Sequence, residues 1–312
     1  MEKFLVTGGA GFIGSHLCRK LVSQGCFVRV LDNLLTGKKS NLADIIEKIE
    51  FVEADMGDPQ VACSAMKDID VVLHEGALPS VPRSVDDPAT THRHCVDATF
   101  TLLLAARDAG VKRFVYAASS SAYGDAPTSP KVETMPPNPL SPYAVGKLVG
   151  EYYCSVFSSV FGLDTISLRY FNVFGPYQDP ASQYAAAIPA FVTAMLKDKA
   201  PMVYGDGEQS RDFTYVDNVV EANLLAARAK KTNGQVVNIA CGQAVTVNAI
   251  IGMINDLLGR NIKPKYVAAR PGDVKHSLAD ITAAKKLLGF RPKVSFKDGL
   301  KLAIDWYREN LL

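Results

Sequence analysis

The stretch Lys3-Phe4-Leu5-Val6-Thr7-Gly8-Gly9-Ala10-Gly11-Phe12-Ile13-Gly14 decides how this chain of 312 residues is read. Lys3 to Thr7 reads as a short buried strand, and a glycine-rich turn follows it directly. Beyond the turn, Ser15 to Ser23 continues the helical spacing of Ile13, Leu17, Leu21 and Val22. Strand, glycine turn and helix are the context a phosphate-binding turn requires. Gly8, Gly11 and Gly14 let the backbone turn sharply, approach a pyrophosphate and pack helix on strand, while the helix start offers free N–H groups to an anion. A purely structural glycine-rich turn is the competing reading, and the next strand discriminates between them.

That strand is Phe27 to Leu31, ended by Asp32 eighteen residues past Gly14. A carboxylate there accepts hydrogen bonds from a ribose 2′-hydroxyl and repels a 2′-phosphate, which favours NAD over NADP. Ile49 to Ala54 reads as a third strand with Asp55 placed to meet the adenine edge, and Asp70 to His74 as a fourth, followed by Glu75-Gly76-Ala77. Phe12, Ile13, Asn33, Met56, Ala77 and Tyr170 complete the expected cofactor contacts. Leu78 to Pro88 reads as a Pro- and Ser-rich loop at the same edge, and Thr90 to Ala109 as a long helix. The β-α-β alternation predicts a parallel, doubly wound sheet with ligands at the carboxyl ends of its strands.

Val111 to Ala118 is a fifth strand with Ser119-Ser120-Ser121 at its carboxyl end, and about twenty residues later comes Ser141-Pro142-Tyr143-Ala144-Val145-Gly146-Lys147. Tyr143 and Lys147 are four apart and so share a helix face, one turn apart. A cation beside a phenol favours the phenolate, which makes a proton acceptor of the tyrosine. Alone, the pair reads first as a half-buried Tyr with a solvated Lys, because such i,i+4 pairs are common on helices. The cofactor edge and a hydroxyl at Ser119, able to share a substrate oxygen, turn it into a catalytic candidate.

Net charge is +2, from 34 Lys and Arg against 32 Asp and Glu, so no global field recruits nucleic acid or an anionic membrane. Six scattered cysteines without a Cys-x-x-Cys pair argue against zinc and against a disulfide framework, and His92 and His94 point in different directions on their helix. No metal is expected. With no apolar run near bilayer length and no leader-like start, the expectation is a cytoplasmic protein.

Together TGGAGFIG, Asp32, the serine triplet with Ala122-Tyr123-Gly124, SPYAVGK and the run Leu168 to Pro176 (LRYFNVFGP) resemble the extended short-chain dehydrogenases/reductases. Within these, Gln178-Asp179-Pro180, Gly205-Asp206-Gly207 with Arg211-Asp212-Phe213, and Arg270 to Ser277 (RPGDVKHS) are most similar to nucleotide-sugar 4-epimerases of the UDP-glucose and UDP-N-acetylglucosamine type. The resemblance implies an α/β architecture: a Rossmann-type NAD-binding domain over residues 1–175, with returning segments around 213–242, and a smaller C-terminal α/β substrate lobe over 176–312. It implies Tyr143 as acid/base, Ser119 as its hydroxyl partner, and Lys147 as the residue that binds the nicotinamide ribose and depresses the Tyr143 pKa. Ser120, Asn172 and Asp273 would contact the sugar nucleotide, Arg211 and Arg270 would grip its diphosphate, and Ser121, Gln178, Ala186 and Ser277 would line the sugar wall. A homodimer through the helices at 90–109 and 143–161 is also implied. Two departures stand out: Cys95 where the family usually has Asn, and the lip His74 to Ser80 (HEGALPS), where relatives often have Gln-Ala after the His, so that Glu75 and Pro79 would alter nicotinamide packing or the sugar pocket.

Overall fold

The alternation in Lys3–Thr7 (β1) sends Phe4 and Val6 to one face and Leu5 to the other, and each face acquires its own core. The computed structural model describes residues 1–180, 187–269 and 275–311. Phe4 and Val6 meet Leu17 and Leu21 of the helix Phe12–Ser23 (α1) and Val219 and Leu224 of the helix Val216–Arg228. Leu5 meets Leu102 and Leu103 of the helix Ala98–Asp108 and Phe157 of the helix Pro142–Phe161.

Between these layers lies a seven-stranded sheet. Its strands are β1, Phe27–Asp32 (β2), Glu50–Glu53 (β3), Val71–His74 (β4), Arg113–Ser119 (β5), Thr165–Tyr170 (β6) and Gln235–Ile239. The spatial order is Gln235–Ile239, β6, β5, β4, β1, β2, β3, every pair parallel. The order reverses at β1, where a doubly wound sheet opens a crevice beyond its strand ends. Register brings Thr7 beside Leu31 and His74, and Tyr170 beside Ser119 and Ile239, so the chemistry-bearing carboxyl ends share one edge.

Two local readings change. The loop expected over Leu78 to Pro88 holds a helix, Val81–Asp86, because the Ser80 hydroxyl caps the Arg83 N–H and Pro82 occupies the first turn. The long helix begins at Pro88 under an Asp87 cap and passes through a π segment, Arg93–Asp97, before Ala98–Asp108. Ser210–Asp212 and Thr214–Tyr215 are short strands that join different small sheets.

A second core gathers Phe174, Phe191, Val192, Phe213 and Ile254 against the C-terminal helix Phe296–Leu311, whose Phe296, Leu300, Ala303, Ile304 and Tyr307 recur at helical spacing. Asp212 ties this lobe together. Fully buried, its carboxylate accepts hydrogen bonds from the N–H groups of Cys241, Gly242 and Ala279 at 2.9–3.3 Å. Removing it strands those donors, so Asp212→Ala should lower stability by about 3 kcal/mol in denaturant titration. An effect indistinguishable from that of Asp206→Ala, in an exposed turn, would contradict this assignment.

Candidate active site

Gly8 has φ +65°, and a Cβ there would come within 2.7 Å of Gly76 Cα, so this turn admits only glycine where β1 passes β4. At Gly14 a Cβ would lie 2.2 Å from the Gly8 carbonyl oxygen; its absence lets α1 start hard against the turn. Asp32, ending β2, accepts from Ala10 N–H at 2.9 Å and from Leu34 N–H at 2.8 Å, so both carboxylate oxygens are already oriented by backbone. Burial raises its pKa while these two bonds act in the opposite direction.

From Asp32 a cavity of about 1040 Å³ runs along the sheet edge to Tyr143 and Lys147. Gly8, Gly11, Phe12, Ile13, Gly14, Asp32, Asn33, Met56, Ala77, Tyr170 and Gln178 line it as well. Asp55 is not in this wall: it accepts the Gly57 N–H and faces Asn33. Lys38 reaches across to Asp179 at 2.7 Å.

At the far end, Ser141 caps the helix Pro142–Phe161 through the Ala144 N–H, and Pro142 occupies its first turn. Lys147 is buried, its ammonium donating to the Ala117 carbonyl of β5 at 2.7 Å and lying over the Tyr116 ring. Tyr143 is half-buried and in hydrogen-bonding contact with the Ser119 side chain. Ser119 Oγ also accepts from the Ser121 hydroxyl at 2.8 Å and the Ser121 N–H.

The expected depression of the Tyr143 pKa is not present in this state. Burial, the largest cause, pushes the phenol well above its ordinary value, negative charge on Cys95 and Glu75 would add to that, and the Ser119 contact acts against it. Burial likewise lowers the Lys147 pKa. Desolvation of an ion here outweighs a neighbouring cation.

Cys95 lies in the π segment, packed where Gly146 leaves room between Tyr143 and Lys147: a Cβ on Gly146 would sit 3.1 Å from Cys95 Cβ. Donors then run in one direction, from Gly76 N–H to Thr7 Oγ1, from Thr7 to His74 Nδ1, from His74 Nε2 to Thr99 Oγ1, and from Thr99 to the Cys95 carbonyl. Burial pushes His74 down to about 3, which keeps it neutral within this chain. Sequence reasoning gives His74 and Thr99 no role, although both sit in stretches compared with the family pattern, because their pairing joins two elements 25 residues apart.

Beyond β6, Asn172 donates to the Asp212 carbonyl at 3.0 Å, and Ser277 pairs with Arg211 on the neighbouring small sheet. Arg211 donates to the Ser210 and Lys275 carbonyls. Asn172, Arg211 and Ser277 are thus brought together, and Gln178, whose amide donates to the Val173 carbonyl, stands in the cavity wall. Ser120 opens the turn Ser120–Tyr123 after β5. Ala186, Arg270 and Asp273 lie outside the described residues.

A parallel doubly wound sheet, a glycine turn with an acidic strand end, and a Ser, Tyr and Lys set at the same edge define a dinucleotide-dependent enzyme of the short-chain dehydrogenase/reductase type. The chain belongs to the NAD dependent epimerase/dehydratase family, whose sequence pattern matches residues 4–240. It is similar to a UDP-glucose 4-epimerase of Mycolicibacterium smegmatis, 37% identical over 308 residues that cover 97% of this chain and 98% of the relative. Among solved structures it resembles a UDP-N-acetylglucosamine 4-epimerase from Methanobrevibacter ruminantium in complex with UDP-N-acetylmuramic acid (40% identity, TM-score 0.95, 99% and 98% of the two chains). It also resembles a Thermus thermophilus UDP-glucose 4-epimerase in complex with NAD (34% identity, TM-score 0.90, 99% of each chain).

The residues present fit such a dinucleotide: a cradle that a Cβ would fill at Gly14, and a carboxylate held ready at Asp32. Gly14→Ala should therefore lower NAD retention by more than about a hundredfold, measured as cofactor released from purified protein. Undiminished retention would contradict the cradle.

Proposed function

We propose that this chain catalyses the reversible inversion of C4 in a UDP-hexose, using retained NAD. The preferred pair is UDP-N-acetylglucosamine/UDP-N-acetylgalactosamine, with UDP-glucose/UDP-galactose as a second pair. The observation that carries this reading is the convergence of Tyr143, Lys147 and Ser119 at the end of β5, followed by Ser120 and Ser121 where a dehydratase would need carboxylates. The three similar proteins named above are each called 4-epimerases, which supports it.

NAD bound in the cavity supplies a reversible two-electron acceptor for C4 of the sugar. Gly8, Gly11 and Gly14 hold its pyrophosphate by backbone, and Asp32 its adenosine ribose. Lys147 binds the second ribose. Tyr143 Oη takes the proton of the sugar 4-hydroxyl and later returns it, while Ser119 Oγ orients that oxygen. Because burial raises the pKa of the phenol, the ionised form must be stabilised by positive charge around it, Lys147 included.

Inversion also requires the sugar ring to turn between the two transfers. Arg211 and Arg270 grip the diphosphate bidentately, and binding energy concentrated there leaves the ring free. Ser277, with Ser121, Gln178 and Ala186, leaves room for a 2-acetamido group; Ser277→Tyr should abolish activity on the acetamido pair first, and equal loss on both pairs would contradict the steric argument.

Purified protein incubated with each UDP-sugar, without added cofactor, tests the whole reading. A product of unchanged mass and inverted C4 is expected; loss of water or carbon dioxide would indicate elimination or decarboxylation, and inert sugars a non-catalytic NAD-binding regulator. Tyr143→Phe should lower turnover about a thousandfold while NAD stays bound.

We also propose a homodimer. Phe100, Val145, Tyr152, Val156, Val160 and Phe161 expose apolar surface on two packed helices, and a second copy would cover it. Val160→Glu should yield monomers by sedimentation; unchanged mass would exclude this face.

A further inference from the structure

Glu75 places a carboxyl group in the cavity wall, at the end that Lys147 also lines. It follows β4 at the sheet edge, and its Oε1 accepts a hydrogen bond from the Tyr170 hydroxyl at 2.7 Å. That hydroxyl in turn accepts from Asn223 Nδ2 at 2.7 Å, and Asn223 is fixed to its own helix through the Val219 carbonyl. The carboxylate is therefore positioned by two buried residues, one on β6 and one on the helix Val216–Arg228. Its second oxygen makes no hydrogen bond among the described residues and is not sealed by protein, so it opens on the cavity that Glu75 and Tyr170 both line.

The place in the cavity decides what this carboxylate faces. Asp32 marks the adenosine end and the glycine turn the pyrophosphate, which leaves the end shared by Glu75, Tyr170, Tyr143 and Lys147 for the nicotinamide. The oxidised ring carries a positive charge and the reduced ring none. A carboxylate in this poorly solvated wall discriminates between them by Coulomb attraction.

We propose that Glu75 is a positioning charge for the cofactor's redox state: ionised, it favours NAD⁺ over NADH at this site, and protonated, it releases that preference. The inference rests on the dinucleotide reading above and adds to it a coupling between proton occupancy at Glu75 and the oxidation state of the bound ring. Coupling of this kind is reciprocal, so NAD⁺ draws the proton off Glu75 and NADH allows it back.

The surroundings put the titration in an accessible range. From the helix Pro142–Phe161, Lys147 and Tyr143 face Glu75; from β6, Tyr170; from the helix Val216–Arg228, the uncharged Asn223; and from β1, the Thr7 carbonyl, which accepts its N–H. His74, next to it, is turned away into the Thr7 and Thr99 chain. Burial raises the Glu75 carboxyl to about 7, against the Tyr170 hydrogen bond and the Lys147 charge. Below that value the Glu75 carboxyl is neutral and above it negative.

The test reads cofactor occupancy rather than turnover. Wild-type protein, Glu75→Gln and Tyr170→Phe are first stripped of retained cofactor, then equilibrated with an equimolar mixture of NAD⁺ and NADH over a pH series and freed of unbound cofactor, and the bound fraction in each form is measured by nicotinamide fluorescence and absorbance. In the wild type the bound NAD⁺ to NADH ratio should rise about tenfold as pH increases through the Glu75 transition. Glu75→Gln, close to isosteric, should hold the low-pH ratio throughout. Tyr170→Phe keeps the carboxyl but loses the donor that favours its charge, so its rise should move to higher pH. A wild-type ratio flat with pH, or the same rise in Glu75→Gln, would overturn the proposal while leaving the dinucleotide site intact. Failure of all three proteins to bind either form would overturn the site itself.

Discussion

One face of the helix Pro142–Phe161 fixes everything at the sheet edge. Tyr143, Lys147 and Glu151 recur every four residues along it, and each is bound to the sheet: Tyr143 to Ser119 at the end of β5, Lys147 to the Ala117 carbonyl, and Glu151 to Arg169 of β6 through two hydrogen bonds of 2.7–2.8 Å. Burying an ammonium and an ion pair is costly, and neither adds stability over apolar side chains of the same size. What they set is register. An ion buried without its partner is penalised by several kcal/mol, so the helix cannot slide by one residue on the sheet without stranding Lys147, Glu151 and Arg169 together. Tyr116 seals the contact, filling the space over Gly150, where a Cβ would lie 2.3 Å from its hydroxyl oxygen.

The cofactor half of the molecule was legible because its signals are local. Strand, glycine turn, helix and Asp32 fall within the first 32 residues, and parallel topology then brings Ser119 to the same edge as Thr7 without any knowledge of distant contacts. Contacts between residues far apart in the chain were not legible. Asp212 reads as part of a motif, yet it is a staple whose partners lie 29 to 67 residues further on. Glu75, Tyr170 and Asn223 belong to three separate elements, and nothing in their spacing joins them. The helix Val81–Asp86 was hidden by a Pro- and Ser-rich composition that equally describes a loop and a capped first turn. The Tyr143 pKa was misjudged for a different reason. The i,i+4 argument counts the neighbouring cation and omits desolvation, which depends on how the whole site is enclosed.

Function divides along the same line. The cofactor half is held by backbone and by buried side chains: the glycine turn, Asp32 locked by two N–H groups, and the hydrogen-bonded run from Gly76 to Cys95. The proposed substrate half hangs from β6 through Asn172 and from the Asp212 staple, and it presents Arg211 and Ser277 on a short sheet of three strands. A tightly kept dinucleotide beside a lobe that holds a sugar nucleotide by its diphosphate is what inversion at one carbon requires, because the same cofactor must serve both faces of the ring.

The central claim is that C4 gives up its hydrogen and receives the same one back within a single site. The most direct measurement uses UDP-sugar carrying deuterium at C4, with mass and magnetic resonance analysis of the product. The account predicts inverted C4 with its deuterium fully retained, in ordinary water and in the presence of excess unlabelled NADH. Inverted product that has lost deuterium to solvent or to the added cofactor would contradict it.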